Sequence, residues 1–363
     1  MGLLRVNLVG ALAVAVVCSC CLQPIESRTT VSSSSGASGN ESTAASAAAA
    51  ADMSTIVVEK VADSVELGEG PHWDVKKQKL YYVDIDGRKI LRFDPLTKKV
   101  TYAHVKHGYV GVAIPVEGSD DKFVAASGTD LVLVTWNGEE NADEPPMKKI
   151  ASLDTDRSDT RINDGKCDAA GRFWLGTMAH DVGGQIAPNR GSLYRIGPDL
   201  KPESVISPVT ISNGLTWSLD DNVMYYIDSP THQVWAFDYN VSTGDMHNKR
   251  VVFDLKKNNI KGIPDGMTID VQGNLWVALF DGAAVIQVNP KSGKLLQKVQ
   301  LPVDKITSVA FGGPNLDILY VTSARVNMSD EEKSRKPDAG SLFAIKGLGV
   351  TGLPPYNFKY SGK

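Results

Sequence analysis

The sequence predicts an all-β fold, a six-bladed β-propeller, and three observations support this prediction. The first is an internal repeat at intervals of 42 to 52 residues, in which a polar residue and a turn are followed by an aromatic strand. The second is a dense series of short strand patterns, and the third is the lack of sustained helical periodicity. Repeats of about 40 to 50 residues with several strands each are typical of propellers, whose four-stranded blades surround a central axis.

The copies of the repeat share one register. Four clear copies begin at polar residues, and two weaker copies follow the same spacing: Glu69, Asn163, Asn213 and Asp265, then Gly111 and Ser308. The tetrapeptides DAAG and DVQG, which precede Trp174 and Trp276, predict tight turns between the first two strands of a blade. The segment TIVVEKVAD, which begins at Thr55, is expected to pair with the last blade and close the ring.

The strand patterns themselves are short and well delimited. Segments such as KLYYVDID, RFWLGTM and NLWVALF are aromatic or β-branched, and Gly, Asp, Asn or Pro bounds them. The recurring tryptophans are expected to pack between neighbouring blades. Residues 55–360 are therefore interpreted as one propeller domain.

The amino-terminal region differs in kind from the propeller. Arg5 precedes an apolar run and small residues, which predicts a signal peptide over residues 1–25 that is too short to span a membrane. An uncleaved membrane anchor or a weak targeting segment is the alternative. Residues 26–54 are rich in Ser and Ala and predict a disordered linker.

This organisation predicts the location of the protein. The long form would be secreted, without stable membrane insertion once the leader is removed. A shorter form started at Met53 would be cytoplasmic. Cys167 is the one cysteine of the predicted propeller, so an internal disulfide is not expected there.

Charge argues against one class of partner. The chain has 38 basic and 42 acidic residues, and no tract of Lys or Arg forms a nucleic-acid stripe. Nucleic acid is therefore not expected as a partner, and no sequence feature indicates the oligomeric state. Motifs for a nucleophilic serine elbow, a zinc-protease helix and a dinucleotide loop are also missing from the sequence.

The register residues carry the predicted chemistry. Innermost strands of a propeller run side by side around the axis, so residues at one register come together in space. Glu69, Asn163, Asn213 and Asp265 offer two carboxylates and two amide oxygens, which suit hard cations better than a structural zinc site. Any one of them alone would more simply satisfy buried backbone groups. Four at one register favour a central metal site.

Several motifs, in order, resemble one family. The segments EGPHWD, RINDGKCDAAGRFWLGTMAHD, SNGLTWSLDDNVMYYIDSP and IPDGMTIDVQGNLWVA are similar to those of the regucalcin (senescence marker protein 30) and gluconolactonase family. They are equally similar to its luciferin-regenerating enzyme branch, which is insect-like. The resemblance covers residues 55 to about 356. It implies a six-bladed propeller with one catalytic divalent cation, Ca, Zn, Mn or Mg.

The resemblance also implies roles for individual residues. Glu69, Asn213 and Asp265 match the family's metal ligands, and Asp265 also matches the catalytic proton donor and acceptor. Arg161 and Asn163 match residues that contact substrate. Asp181 falls where regucalcin carries a glutamate that contacts sugar hydroxyls, and its side chain is one methylene shorter. This difference favours the insect-like branch and leaves the sugar preference open.

The predicted function is a divalent-metal-dependent hydrolase that opens sugar lactones with a metal-activated water and also binds calcium. Its partner would be a small-molecule lactone. One alternative is a calcium-binding regulatory protein. Another is a luciferin-regenerating type of enzyme that acts on a non-sugar substrate. The segment 178–190, MAHDVGGQIAPNR, is long enough to form a lid over the tunnel, with an ordinary blade loop as the alternative.

Overall fold

The computed structural model describes residues 55–362. The predicted signal peptide and linker, residues 1–25 and 26–54, lie outside the described residues. Within residues 55–362, six four-stranded antiparallel sheets and a two-stranded hairpin make up the fold. Each large sheet is one blade, so the predicted six-bladed propeller is confirmed.

The blades follow one another along the chain, and the first strand of each lies innermost. Blade 1 comprises β2 (Gly68–Asp74), β3 (Lys79–Asp84), β4 (Lys89–Phe93) and β5 (Val100–His104), and blade 2 comprises β6 (Ala113–Pro115), β7 (Lys122–Ser127), β8 (Asp130–Thr135) and β9 (Met147–Ser152). Blade 3 comprises β10 (Thr160–Cys167), β11 (Phe173–Ala179), β14 (Gly191–Ile196) and β15 (Pro202–Val209), and blade 4 comprises β16 (Ser212–Trp217), β17 (Val223–Asp228), β18 (Gln233–Asn240) and β19 (Asp245–Asp254).

The last two blades complete the ring. Blade 5 comprises β20 (Ile263–Ile269), β21 (Leu275–Phe280), β22 (Ala284–Asn289) and β23 (Lys294–Gln300), and blade 6 comprises β24 (Ile306–Gly312), β25 (Ile318–Ser323), β26 (Leu342–Lys346) and β1 (Val57–Ala62). Three short elements lie between these strands: the hairpin of β12 (Asp181–Val182) and β13 (Gln185–Ile186), a 3-10 turn (Ser229–Thr231) and the helix α1 (Asp330–Arg335).

The first strand closes the ring as predicted. β1 pairs antiparallel with β26, with Val57 opposite Lys346 and Lys60 opposite Phe343. This pairing gives blade 6 an outermost strand from the opposite end of the folded region. The ring is therefore held together by backbone hydrogen bonds as well as by packing between blades.

The predicted tight turns are present and fix the register of the blades. Gly171 and Gly273 have positive φ angles of 80° and 81° and donate their N–H groups to the carbonyls of Asp168 and Asp270. Each of these aspartates also accepts the indole N–H of a tryptophan on the next strand, at 2.9 Å from Trp174 and 3.0 Å from Trp276. One carboxylate thus caps the turn and orients a core aromatic.

The cores lie between neighbouring blades. Trp73, Trp174 and Trp276 are almost completely buried, which confirms the expected packing role. Cys167 is a buried free thiol in blade 3. Among the helices of the described region, none is long and apolar enough to cross a membrane.

A carboxyl-terminal segment, residues 351–361, crosses one face of the propeller, and we call it the strap. Gly352 bridges to Asp270 in blade 5, and Phe358 bridges to Val116 in blade 2. Phe358 is fully buried against Phe173, with ring centroids 6.0 Å apart. Because these contacts lie at or near the far ends of the innermost strands, the strap covers the face opposite the register residues.

Candidate metal and active site

Irregular pairing marks the site on the innermost strands. The pairing register shifts between Glu69 and His72, between Asn213 and Leu215, and at the equivalent places in β10, β20 and β24. A bulge adds residues to one strand and re-aims their side chains. Here the shifts fall at the repeat register, which directs the polar residues toward the axis.

Glycines let the innermost strands approach one another at this level. A Cβ on Gly266 would lie 2.0 Å from the Ser308 Oγ, and one on Gly111 would lie 2.3 Å from the Asn163 carbonyl oxygen. Gly111, the register residue of blade 2, therefore supplies space for blade 3 instead of a polar side chain. This explains why that copy of the repeat is weak.

The two register asparagines are joined in one hydrogen-bond chain. Arg161 Nη1 donates to Asn163 Oδ1 at 2.7 Å, and Asn163 Nδ2 donates to Asn213 Oδ1 at 3.2 Å. Asn213 Nδ2 in turn donates to Ser229 Oγ at 2.8 Å. These bonds fix the side chain of Asn213 and leave its Oδ1 with one further acceptor position.

Three buried carboxylates lie close together in the tunnel. Glu69, Asp164 and Asp265 are 5%, 6% and 7% exposed. Burial and the negative charge of Asp164 raise the pKa of Glu69 to about 8. Burial, then the charges of Glu69 and Asp164, raise the pKa of Asp265 well above its usual range. The three acids therefore repel one another across a poorly solvated tunnel.

Asp164 was not among the predicted site residues. Burial raises its pKa, while Lys166 on the same strand opposes the shift. In the sequence, Asp164 stands out as a departure from the repeat. A glycine follows the register residue in blades 1, 4 and 5, as Gly70, Gly214 and Gly266, whereas Asp164 follows it in blade 3. A carboxylate in place of a glycine at this register adds a third acid to the tunnel.

Arg161 provides positive charge at the open end of the tunnel. Its side chain is buried and lies 5.8 Å from the ring centroid of Tyr109. Burial lowers the pKa of Arg161, and the charges of Asp86 and Glu69 oppose this shift. Because a guanidinium stays protonated in proteins, Arg161 remains a cation and a hydrogen-bond donor.

Asp181 lies apart from the buried acids, on the exposed hairpin of β12 and β13. Its Oδ1 accepts the Gly184 N–H at 2.6 Å, and its Oδ2 accepts Asn327 Nδ2 at 3.0 Å. Asn327 belongs to blade 6, which stands opposite blade 3 in the ring. The hairpin thus reaches across the mouth of the tunnel, and Asp181 is engaged there.

The residues fit a hard divalent cation. Glu69, Asp265 and Asn213 present oxygen donors, and a bound cation would relieve the repulsion between the buried acids. Within residues 55–362, no group of three or more His, Cys, Asp and Glu side chains forms a metal site. The candidate set of Glu69, Asp265 and Asn213 is not such a group, because Asn213 would bind the cation through an amide oxygen.

The fold and this site define a class: a six-bladed propeller with an oxygen-donor site at one end of its central tunnel. Residues 67–325 match the family model described as "SMP-30/Gluconolactonase/LRE-like region". The chain belongs to this family.

Individual proteins that resemble this chain support its membership of the family. The chain is 44% identical to regucalcin from Gallus gallus over 308 residues, which cover 84% of this chain and 99% of that protein. A luciferin-regenerating enzyme structure is 41% identical, with a TM-score of 0.79, and the match covers 84% of this chain and all of that one. A calcium-binding regucalcin from Agrobacterium tumefaciens, 24% identical over 85% of this chain and 98% of its own with a TM-score of 0.74, shares the fold.

Proposed function

We propose that this protein is a divalent-metal-dependent hydrolase that opens sugar lactones and also binds calcium. The observation that carries the proposal is the meeting of Glu69, Asn213 and Asp265 at one end of the tunnel, beside Arg161. Membership of a family that includes gluconolactonases supports it. Lactone hydrolysis adds the hydroxyl of water to the carbonyl carbon and its proton to the ring oxygen.

Glu69, Asn213 and Asp265 would hold the cation, which is Ca, Zn, Mn or Mg. When bound, such an ion polarises a carbonyl and lowers the pKa of water. Asp265 takes the proton of the attacking water and returns it to the ring oxygen as the lactone opens.

Arg161 and Asn163 bind and orient the lactone. The described hydrogen bonds of Arg161 come from Nη1, so its Nη2 and Nε donors remain for a carbonyl or hydroxyl oxygen. Asn163 Nδ2 donates to the Ser212 carbonyl at 2.9 Å and to Asn213 Oδ1 at 3.2 Å, so Asn163 offers the substrate its Oδ1 as an acceptor. The fixed donors of Arg161 stabilise developing charge without further reorganisation.

Asp181 contributes to the choice of substrate. Its carboxylate is held by Asn327 Nδ2 at 3.0 Å and keeps acceptor positions for a sugar hydroxyl. Because this carboxylate is one methylene shorter than glutamate, we expect a substrate preference different from that of enzymes with a glutamate there. The similarity to luciferin-regenerating enzyme supports placing the chain in that branch.

A metal analysis followed by a lactone panel tests this function. Protein stripped of metal and supplied with Ca²⁺, Zn²⁺, Mn²⁺ or Mg²⁺ is expected to open gluconolactone or a related lactone. Asp265→Asn is expected to lower kcat/KM by about a thousandfold or more, because its amide can neither take nor return the proton. Asp199→Asn, in an exposed turn, is the matched control. Unchanged turnover in Asp265→Asn would exclude the mechanism.

Two alternatives make different predictions. A calcium-binding regulatory protein, favoured by the oxygen-only ligand set, would titrate tightly with Ca²⁺ and open no lactone on the panel. An enzyme of the luciferin-regenerating type, favoured by the 41% identity to that structure, would leave sugar lactones intact and act on a non-sugar heterocycle. The same panel, extended with such heterocycles, separates the three.

A further inference from the structure

A second ring of side chains lies one step deeper in the tunnel than the candidate site. Each member pairs with the aromatic residue of the neighbouring strand, as His72 does with Tyr81 and Lys166 with Trp174. All line a cavity of about 140 Å³ that begins at Asp164 and Ser308. The ring consists of His72, Lys166, Thr216, Thr268 and Ala310.

Side chains do not fill the tunnel at this depth. Thr268 and Ala310 keep accessible surface although they lie on the innermost strands. Their chain neighbours Ile269 and Val309, which face the blade interfaces, are buried. Strand residues alternate between the two faces, so Thr268 and Ala310 face the axis.

The cavity reaches the face of the propeller that carries the strap. Its lining continues past Trp217 to Leu219, Asp221 and Tyr356. Leu219 is 50% exposed and Tyr356 is 45% exposed. The strap covers the axis itself, where His72 Nε2 and Asn357 Oδ1 lie 2.9 Å apart. The opening therefore lies beside the strap, on the opposite side of the molecule from the mouth.

The lining suits water. Thr216 and Thr268 provide hydroxyl groups, and Lys166 Nζ donates to the Met267 carbonyl at 2.7 Å, which leaves further ammonium donors. A volume of about 140 Å³ is large enough to hold several water molecules. The lining also includes apolar residues such as Ile114 and Phe311, so water would be held beside the polar groups of Lys166, Thr216 and Thr268.

We propose that this cavity is a rear water channel, which supplies the water consumed in hydrolysis while the lactone occupies the mouth. The proposal rests on the proposed function. Each turnover consumes one water molecule at the carbonyl carbon, and the hairpin bridge between Asp181 and Asn327 restricts entry from the front. Resupply from the strap side keeps the nucleophile available without release of the substrate.

Thiol labelling tests whether the channel exists, independently of activity. In the full chain, Ala310→Cys is expected to react with a small methanethiosulfonate reagent at least about tenfold faster than Val309→Cys, because thiols in water react and buried thiols do not. The unmutated protein gives the background, and Cys167 is buried. Adding Leu219→Trp at the rear opening is expected to slow labelling at position 310. Equal labelling at the two positions, or no effect of Leu219→Trp, would overturn the channel.

Kinetics test what the channel does. Ala310→Leu, which fills the channel, is expected to lower kcat at least about fivefold with KM changed less than twofold, since the mouth is untouched. Ala310→Ser leaves the channel open and is expected to retain most of kcat. Normal kcat in Ala310→Leu would refute water supply by this route. If the unmutated protein opens no lactone, the proposed function fails, while labelling still decides whether the channel exists.

Discussion

At the scale of residues, the site is defined by uncompensated negative charge. Glu69, Asp164 and Asp265 are buried together, with Arg161 and Lys166 as the nearby cations named in their pKa shifts. Burial lowers the pKa of Lys166 to about 8, and Asp164 opposes that shift. The charge balance favours binding of a divalent cation.

Asp164 is expected to contribute to cation affinity without being one of the proposed ligands. Asp164→Asn removes one negative charge from the tunnel with little change of shape. We expect its Ca²⁺ affinity, measured by calorimetry, to fall about tenfold, which corresponds to about 1.4 kcal/mol. Asp199→Asn is expected to bind Ca²⁺ as the unmutated protein does. Equal affinity in Asp164→Asn would show that this carboxylate is screened from the site.

His72 is expected to make stability depend on pH. Burial lowers its pKa from 6.5 to about 4, so the folded protein keeps it neutral. Its contribution to stability is complete above pH 6.5 and is lost as pH falls toward 4, because the unfolded chain binds the proton first. The loss between pH 7 and 4.5 is about 2 to 3 kcal/mol.

The comparison for this prediction is His72→Gln, which retains an amide donor toward Asn357 and does not titrate. Urea unfolding at pH 7 and pH 4.5 measures the difference. The free energy of unfolding of His72→Gln is expected to fall less between these two pH values. A parallel loss in both proteins would place the pH dependence in other groups.

At the scale of elements, the bulged innermost strands set the geometry of the site. β20 carries Asp265 and packs closely against β24 through Gly266. Ser308, on β24, lies close to Glu69 and opposes the rise in the pKa of its carboxyl. A change in the spacing of these strands therefore affects two of the proposed ligands together.

Gly266→Ala tests this spacing. Its Cβ would lie 2.0 Å from Ser308 Oγ and 2.7 Å from Ser308 Cα, so a strand has to move. We expect the free energy of unfolding to fall by about 2 to 4 kcal/mol and Ca²⁺ affinity to fall with it. Gly197→Ala meets only the Asp199 Oδ1, at 3.5 Å, and serves as the control. Wild-type stability in Gly266→Ala would show that the strands tolerate wider spacing.

Most of the strands, turns and register of the blades could be predicted from the sequence, because local or repeated sequence patterns determine them. The turn residues Asp168 and Gly171, the strand patterns and the common register all follow from short-range chemistry. Asp164 was not predicted as a site residue because it departs from the repeat instead of following it. The hydrogen bond between Asp181 and Asn327 was not predicted because these residues are 146 positions apart in the sequence. No local sequence pattern encodes such a contact.

At the scale of the whole molecule, the strap ties distant blades together. It hydrogen-bonds Gly352 N–H to Leu316 O in blade 6 at 2.8 Å and Lys359 N–H to Gly171 O in blade 3 at 3.0 Å. Phe358 inserts into the core beside Phe173. The strap thus stabilises the ring and shapes the rear of the tunnel.

Phe358→Ala is expected to lower the free energy of unfolding by about 3 to 5 kcal/mol, because it leaves a cavity where a fully buried ring stood. Tyr356→Ala, from an exposed position of the same strap, is the matched control and is expected to cost less than about 1 kcal/mol. Denaturant unfolding of the two variants measures this. Similar losses in both would mean that the strap acts through its backbone alone.

The pairing of β1 with β26 has a consequence for biosynthesis. The partner of Val57 is Lys346, so the first strand of the propeller to be synthesised can form its hydrogen bonds only after the last one has been made. Until then β1 is an unpaired edge, open to association with other nascent chains. Ring closure therefore has to wait until the segment Leu342–Lys346 has been synthesised.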